Sequence, residues 1–142
     1  MSPKEFLSQG RKAKDRIVIL REQIDRLQDE MHRLSRATTE GSKVQSKPPR
    51  DPVGDRVSEI VDKITEREKQ LALWEDKLYE VENVLNGLEC VTCYKVLHAR
   101  YVRGLEIWEI AEEQNYSKSY VYTLHTQGLE KIKKSRPGGR PW

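Results

Sequence analysis

Two groups of side chains in this sequence have the chemistry for a function. The first is Lys118, Ser119, Tyr120, Tyr122 and Thr123, followed by Thr126, Gln127 and Lys131. It combines cations, hydroxyls and an amide at a spacing that leaves Val121 and Leu124 free to face the other way. On a helix, such a set can donate to phosphates and reach base edges, which present distinct donor and acceptor patterns in the major groove. Tyrosine adds a ring for thymine methyls and a hydroxyl for phosphate; for Tyr120 and Tyr122 the alternative is packing on the adjacent helix. The second group is Cys90-Val91-Thr92-Cys93. A zinc site needs four ligands, usually with a second pair at matching spacing, and only His98 lies near. No βαβ pattern supports a thioredoxin-like redox role, so these cysteines read as small buried residues at a helix start. No metal or other cofactor is expected.

The elements that would position the first group lie between Glu106 and Lys134. Ile107, Ile110 and Ala111 form a short helical stripe, Asn115-Tyr116-Ser117 breaks it, and Val121, Leu124, Leu129 and Ile132 form a second. This is the spacing of a helix-turn-helix. Ala111 is small where two helices cross. Asn115 tolerates the left-handed conformation that most residues avoid. Ser117 can cap the next helix, predicted over 118–135. Beyond the outward face, Lys131, Lys133, Lys134, Arg136 and Arg140 make a modest electrostatic footprint for phosphates. His125 is placed to pack or hydrogen-bond against the first helix of the motif. A preceding helix is predicted over Val91–Arg103, with Tyr94, Leu97, His98, Tyr101 and Val102 on its buried side and Gly104 at the turn.

Before these comes a different pattern. Phe6, Gly10, Ala13, Ile17, Leu20, Ile24, Leu27, Met31 and Leu34 alternate spacings of four and three, a heptad seam. Gly10 is its weak point, since Gly in a helix costs about 1 kcal/mol against Ala. A second seam runs Val57, Ile60, Ile64, Arg67, Leu71, Trp74, Leu78, Val81, Leu85, Leu88, interrupted by the charge of Arg67, and Asn86-Gly87 ends or bends its helix. Between the seams, 38–54 is rich in Gly, Ser and Pro and is expected to be a mobile linker, with Lys43, Lys47 and Arg50 exposed on it. Matched helix lengths and a loop long enough to reverse direction predict an antiparallel coiled-coil hairpin over 1–88. The segment 137–142 reads as a flexible tail ending in an exposed Trp142.

Composition agrees with long solvated helices: 35% of residues are charged and only 7% aromatic. The net charge of +3 hides a segregation. Residues 1–36 hold nine basic and six acidic side chains, 54–88 hold five and nine, and 89–142 hold nine and six. The acidic second helix can therefore lie against the basic first one. No apolar run approaches the roughly 20 residues of a membrane span and no secretory leader is seen, so a cytoplasmic protein is expected. There is no Gly-rich phosphate loop and no Ser/His/Asp arrangement with supporting context; an enzyme acting on a small-molecule substrate is not expected.

Arg100-Tyr101, Gly104, Ile110-Ala111, Tyr116-Ser117, Val121, Leu124-His125 and Leu129 resemble the upstream-promoter-reading domain of bacterial sigma factors, their fourth region. More closely, with Lys4-Glu5-Phe6-Leu7 and a long heptad helix at the start, the chain resembles ArpU-type regulators of phage late genes. The resemblance is specific over 92–134 and architectural before that. It implies transcriptional regulation in a phage-infected or lysogenic bacterial cell, through double-stranded DNA and alongside RNA polymerase, with Lys118, Ser119, Tyr120, Tyr122 and Thr123 at the contacting positions. Lys118, Tyr120 and Tyr122 replace arginines of the sigma domain, which points to a target other than the sigma consensus element. Further departures are Glu106 at a cap where Ser or Thr is usual, Trp108 at a normally exposed position, Gln114 for an apolar residue and Gly128 for Ala. These are expected to weaken the domain locally, and Trp108 to offer a partner surface.

The expected fold class is thus all-α: a long antiparallel coiled-coil helical hairpin, then a sigma-region-four-like helix-turn-helix domain over 89–136. Val18, Ile19, Val61 and Leu73 flank the seams and predict a homodimer through the coiled coil. Two other readings share these features: the small packaging subunit of a phage terminase, and a coiled-coil adaptor that binds RNA polymerase or a sigma factor without reading DNA.

Overall fold

A computed structural model describes residues 2–40 and 52–135. Helix is the one regular structure among them: α1 (Pro3–Glu40), α2 (Pro52–Asn86), α3 (Val91–Tyr101), α4 (Ile107–Gln114) and α5 (Lys118–Ser135). The fold is all-α, and none of the described helices is long and apolar enough to cross a membrane.

The long helices invade the expected linker from both sides. Thr38 to Glu40 continue α1, and α2 starts at Pro52, so Gly54 is already helical. Proline suits that first position because its φ is preset for helix and its missing N–H would have had no helical acceptor. The rest of the linker, 41–51 with Lys43, Lys47 and Arg50, lies outside the described residues, as do Arg136, Arg140 and the tail 137–142.

The border between compact units differs from the one expected at residue 88. Among the described residues, one unit joins 2–16 to 74–135; the other is Ile17–Leu73. Both long helices are divided, because their outer ends share a core with the C-terminal helices. Leu7 of α1 and Val81 and Leu85 of α2 cluster with Leu97, Tyr101, Val102 and Ile132. The start of α1 is anchored through Leu7, fully buried, more than through its neighbour Phe6, which stays half-buried.

In this unit Gly10 is required. A Cβ there would stand 2.9 Å from the Tyr101 carbonyl oxygen and 3.0 Å from Val81 Cγ1. The carbonyl belongs to the α3 backbone and cannot rotate aside. The helix-propensity penalty expected of Gly10 is therefore outweighed by what its missing side chain permits, the close approach of α1 to α3.

Within Ile17–Leu73 the heptad reading holds. Ile17, Leu20 and Ile24 are buried on α1 and Ile60 and Ile64 on α2. Ile24, Ile60 and Ile64 form one cluster, bordered by Leu27, Met31, Leu34 and Leu71. Arg67, the charge in the seam, is half-buried beside an open cleft of about 600 Å³ that Gln23, Arg26, Arg33 and Lys63 also line. One charge pair runs opposite to the segment totals: basic Arg56 of acidic α2 donates to Glu30 of basic α1 at 2.6 Å, and within α2 to Glu59 at 3.2 Å.

Gly10→Ala should destabilise the protein even though Ala is the better helix former. Overpacking of this kind costs about 1–3 kcal/mol, against a propensity gain of at most about 1 kcal/mol. Urea denaturation followed by circular dichroism reads the difference, and a variant more stable than the parent would contradict the close-packing account.

Candidate nucleic-acid interface

The frame of the candidate site begins at Glu106. Its backbone N–H donates to the Glu109 carboxylate at 3.0 Å, and the two form a capping box at the start of α4. The same Glu106 carboxylate accepts from Arg11 at 3.0 Å and from Arg100 at 3.1 Å. Arg11 first, then Arg100, holds its carboxyl below the usual range. The local weakness expected from Glu in place of Ser or Thr is thus not found: the carboxylate caps α4 and ties it to α1 and α3. Arg103 adds a bidentate pair to Glu113, at 2.6 and 3.0 Å. Both partners are solvent-exposed, so this fork orients α4 more than it stabilises the fold.

At the end of α4, Asn115 adopts the left-handed conformation (φ 58°, ψ 41°) and its N–H returns to the carbonyls of Ala111 and Glu112. Tyr116 N–H also bonds the Ala111 carbonyl, at 2.9 Å. The chain reverses there, and the Ser117 hydroxyl accepts from the Tyr120 N–H at 3.1 Å, capping α5. Asn115 and Ser117 each do what their type predicts.

Helix α5 buries one face. Val121 and Leu124 join Cys93, Val96 and Ala99 of α3 and Ile110 and Ala111 of α4 in a single cluster. Further along, Gly128 is buried against α3: a Cβ would meet Leu97 Cδ1 at 2.6 Å, Leu97 Cγ at 3.2 Å and Cys93 Cβ at 3.4 Å. The Gly in place of Ala is therefore a packing requirement and not a local defect. His125 is half-buried, but its partner is on α3 and not on α4: Nε2 lies 2.6 Å from the Tyr101 hydroxyl. Gln114 fills its apolar position by donating weakly to the Lys95 carbonyl at 3.5 Å, while its Oε1 is buried without a partner.

The opposite face of α5 is open. Lys118, Ser119, Tyr120, Tyr122, Thr123, Thr126, Gln127 and Lys131 are all exposed, as are Lys133 and Lys134. Tyr122 is the freer of the two rings on this face, 58% exposed. Tyr120 is 45% exposed and sets its ring edge-on to Tyr116, centroids 4.8 Å apart, so part of its role is to close the turn. Thr123 donates its hydroxyl to the Ser119 carbonyl at 3.0 Å, leaving oxygen lone pairs and a methyl outward. On α4, Trp108 is exposed and Ile107 packs inward.

Sequence reasoning did not foresee Arg11, Arg100, Arg103 and Tyr101 as the residues that seat α4 and α5. The partners of Arg11 and Tyr101 are distant in the chain; those of Arg100 and Arg103 lie six and ten residues on, where exposed Arg and Glu are too common to pair by inspection. No grouping of three or more His, Cys, Asp or Glu able to hold a metal occurs among the described residues. Comparison with protein-family models, with curated proteins and with solved structures finds no match.

The burial of His125 sets a pH dependence. Burial, followed by the nearby charges of Lys4 and Arg100, pushes His125 below its ordinary value, and burial does the same to His98. An unfolded histidine takes up a proton near pH 6.5 while the folded one resists it. Stability is thus full above that pH and is lost as the pH falls toward the folded values. The urea midpoint should be lower at pH 5.5 than at pH 7.5, and His125→Gln should shrink that drop. An identical drop in both proteins would show that His125 does not carry it.

Proposed function

We propose that this chain is a sequence-specific double-stranded-DNA-binding regulator of phage late transcription that reads the major groove with α5. The observation carrying this reading is the division of α5 into a fully packed face and a wholly exposed polar one. The eight cationic, hydroxyl, aromatic and amide groups on the first four turns of its outer face are of the kinds that meet phosphates and base edges. Lys118 and the hydroxyls at the helix start stand where base edges are met in this motif, and Lys131, Lys133 and Lys134 supply attraction to phosphates. The resemblance over 92–134 supplies the reading of phage late genes and of RNA polymerase as a second partner, for which Trp108 is the exposed candidate contact. The exposed Val18, Ile19, Val61 and Leu73 support a homodimer through the coiled-coil helices, bringing two copies of α5 to a two-fold DNA site.

Tyr122→Ala tests the reading, because Tyr122 is exposed and its truncation should leave folding intact. Removing one base contact should weaken specific binding by about 1–3 kcal/mol and relax preference at one position. Lys134→Ala should instead weaken all sequences alike and reduce the salt slope by roughly 1. Unchanged sequence preference in the tyrosine variant, or a changed one in the lysine variant, would reverse these roles.

An adaptor that binds RNA polymerase without reading DNA is the second reading, favoured by the exposed Trp108. It predicts no DNA selectivity at any salt concentration. Light scattering on the full chain at micromolar concentration should give a dimer mass. A monomer mass would remove the two-fold arrangement and leave the apolar flanks of α1 and α2 for another partner.

A further inference from the structure

The start of α3 holds two cysteines that the DNA-binding reading does not use. Cys90 is the N-cap of α3, in extended backbone (φ −75°, ψ 108°), and Cys93 sits in the first turn. Their sulfurs are 3.1 Å apart. A disulfide bond is about 2.05 Å long, so closure needs the two atoms to approach by only about 1 Å. The two thiols are not equivalent. Cys93 is completely buried, whereas Cys90 is half-buried and reachable from solvent. Cys90 borders the cluster that contains Cys93, so the two sulfurs meet where a fully buried residue adjoins a partly exposed one.

We infer that Cys90 and Cys93 form a redox-active dithiol, in which Cys90 exchanges with low-molecular-mass disulfides such as oxidised glutathione and Cys93 resolves the product into an intramolecular disulfide. The surroundings suit each part. The Thr92 oxygen is 3.3 Å from the Cys90 sulfur, where its hydroxyl can donate to a thiolate. That hydroxyl foremost, then the thiol and amide of Cys93, and last the Lys131 cation lower the Cys90 thiol to about 6. Burial, then Cys90 itself, raises Cys93 to about 11. The attacking thiol is thus ionised at neutral pH, and the resolving one keeps its proton until the attack.

In the first step the Cys90 thiolate attacks one sulfur of oxidised glutathione, forming a mixed disulfide and expelling one glutathione thiolate. In the second, Cys93 loses its proton, attacks the Cys90 sulfur and expels the second glutathione. The chain loses two electrons and two protons, and one disulfide becomes two thiols. The closed bond lies in the seam between α3 and α5, since Cys93 packs with Val121 and Leu124 and against Gly128. This inference is independent of what α5 reads.

The experiment incubates the full chain at graded ratios of reduced to oxidised glutathione, quenches with acid and measures mass. The wild type should lose two hydrogens, retain no glutathione and recover on dithiothreitol treatment. Cys93→Ala should hold one glutathione on Cys90, and Cys90→Ala should form neither product while folded. Native alkylation of the wild type gives a readout that no variant's folding can compromise. One thiol should react, half-maximally near pH 6, its thiolate fraction at pH 7 roughly thirtyfold that of a free cysteine. The proposal is overturned by the absence of a disulfide at every ratio, by a wild-type glutathione adduct that Cys93 never displaces, by disulfides only between chains, or by thiols that react only after unfolding.

Discussion

The close approach of α5 to α3 is the constraint on which the rest of the C-terminal unit depends. Gly128 allows it, because no side chain separates the α5 backbone from Leu97 and Cys93. Once α5 is seated, Val121 and Leu124 reach the α3–α4 cluster and Ile132 reaches the one built with Leu7 and Val81. A helix held along one face by apolar contacts must present its other face outward. The rotation of α5 about its own axis therefore decides which residues can meet a partner, and that rotation is set by Val121, Leu124, Gly128 and Ile132. Gly10 plays the equivalent part for α1, which packs so near α3 that a Cβ would touch the Tyr101 carbonyl. Two glycines that local propensity counts as defects are thus the points where helices come nearest.

Polar contacts then refine what burial has placed. Glu106 collects Arg11 and Arg100 while capping α4, so one carboxylate links three helices. Tyr101 and His125 meet between α3 and α5, where an unpaired hydroxyl or imidazole would be costly. No polar or charged residue among those described is fully buried, and the core consists of aliphatic side chains with Cys93 and Tyr101. Specificity of packing here comes from shape, and the ion pairs at the rim orient the helices.

Much of the fold is legible in the sequence because its signals are local. The limits of α5, the left-handed Asn115 and the Ser117 cap follow from residue type and position within a few residues. The heptads of Ile17–Leu73 are likewise read directly from spacing. What was not legible depends on partners distant in the chain. Leu7 and Val81 belong to the core of α3 and α5, so the compact units divide both long helices where periodicity runs on without a break. Gly10, Gly128 and Glu106 look unfavourable until their neighbours are known. The outward face of α5 was legible as a face, whereas the engagement of Tyr120 with Tyr116 depends on how the turn brings the two rings together. The contact between the two sulfurs was equally hidden: Cys-x-x-Cys spacing permits it but does not make one cysteine fully buried and the other only partly so.

The central claim, that α5 reads double-stranded DNA through its exposed face, is most directly tested by selecting binders for the full chain from a random duplex library. Methylation interference on the selected sites then locates the contact. The account predicts one enriched sequence, with interference at guanine N7 in the major groove and none at minor-groove adenines. Recovery of no enriched sequence, or interference confined to the minor groove, would contradict it.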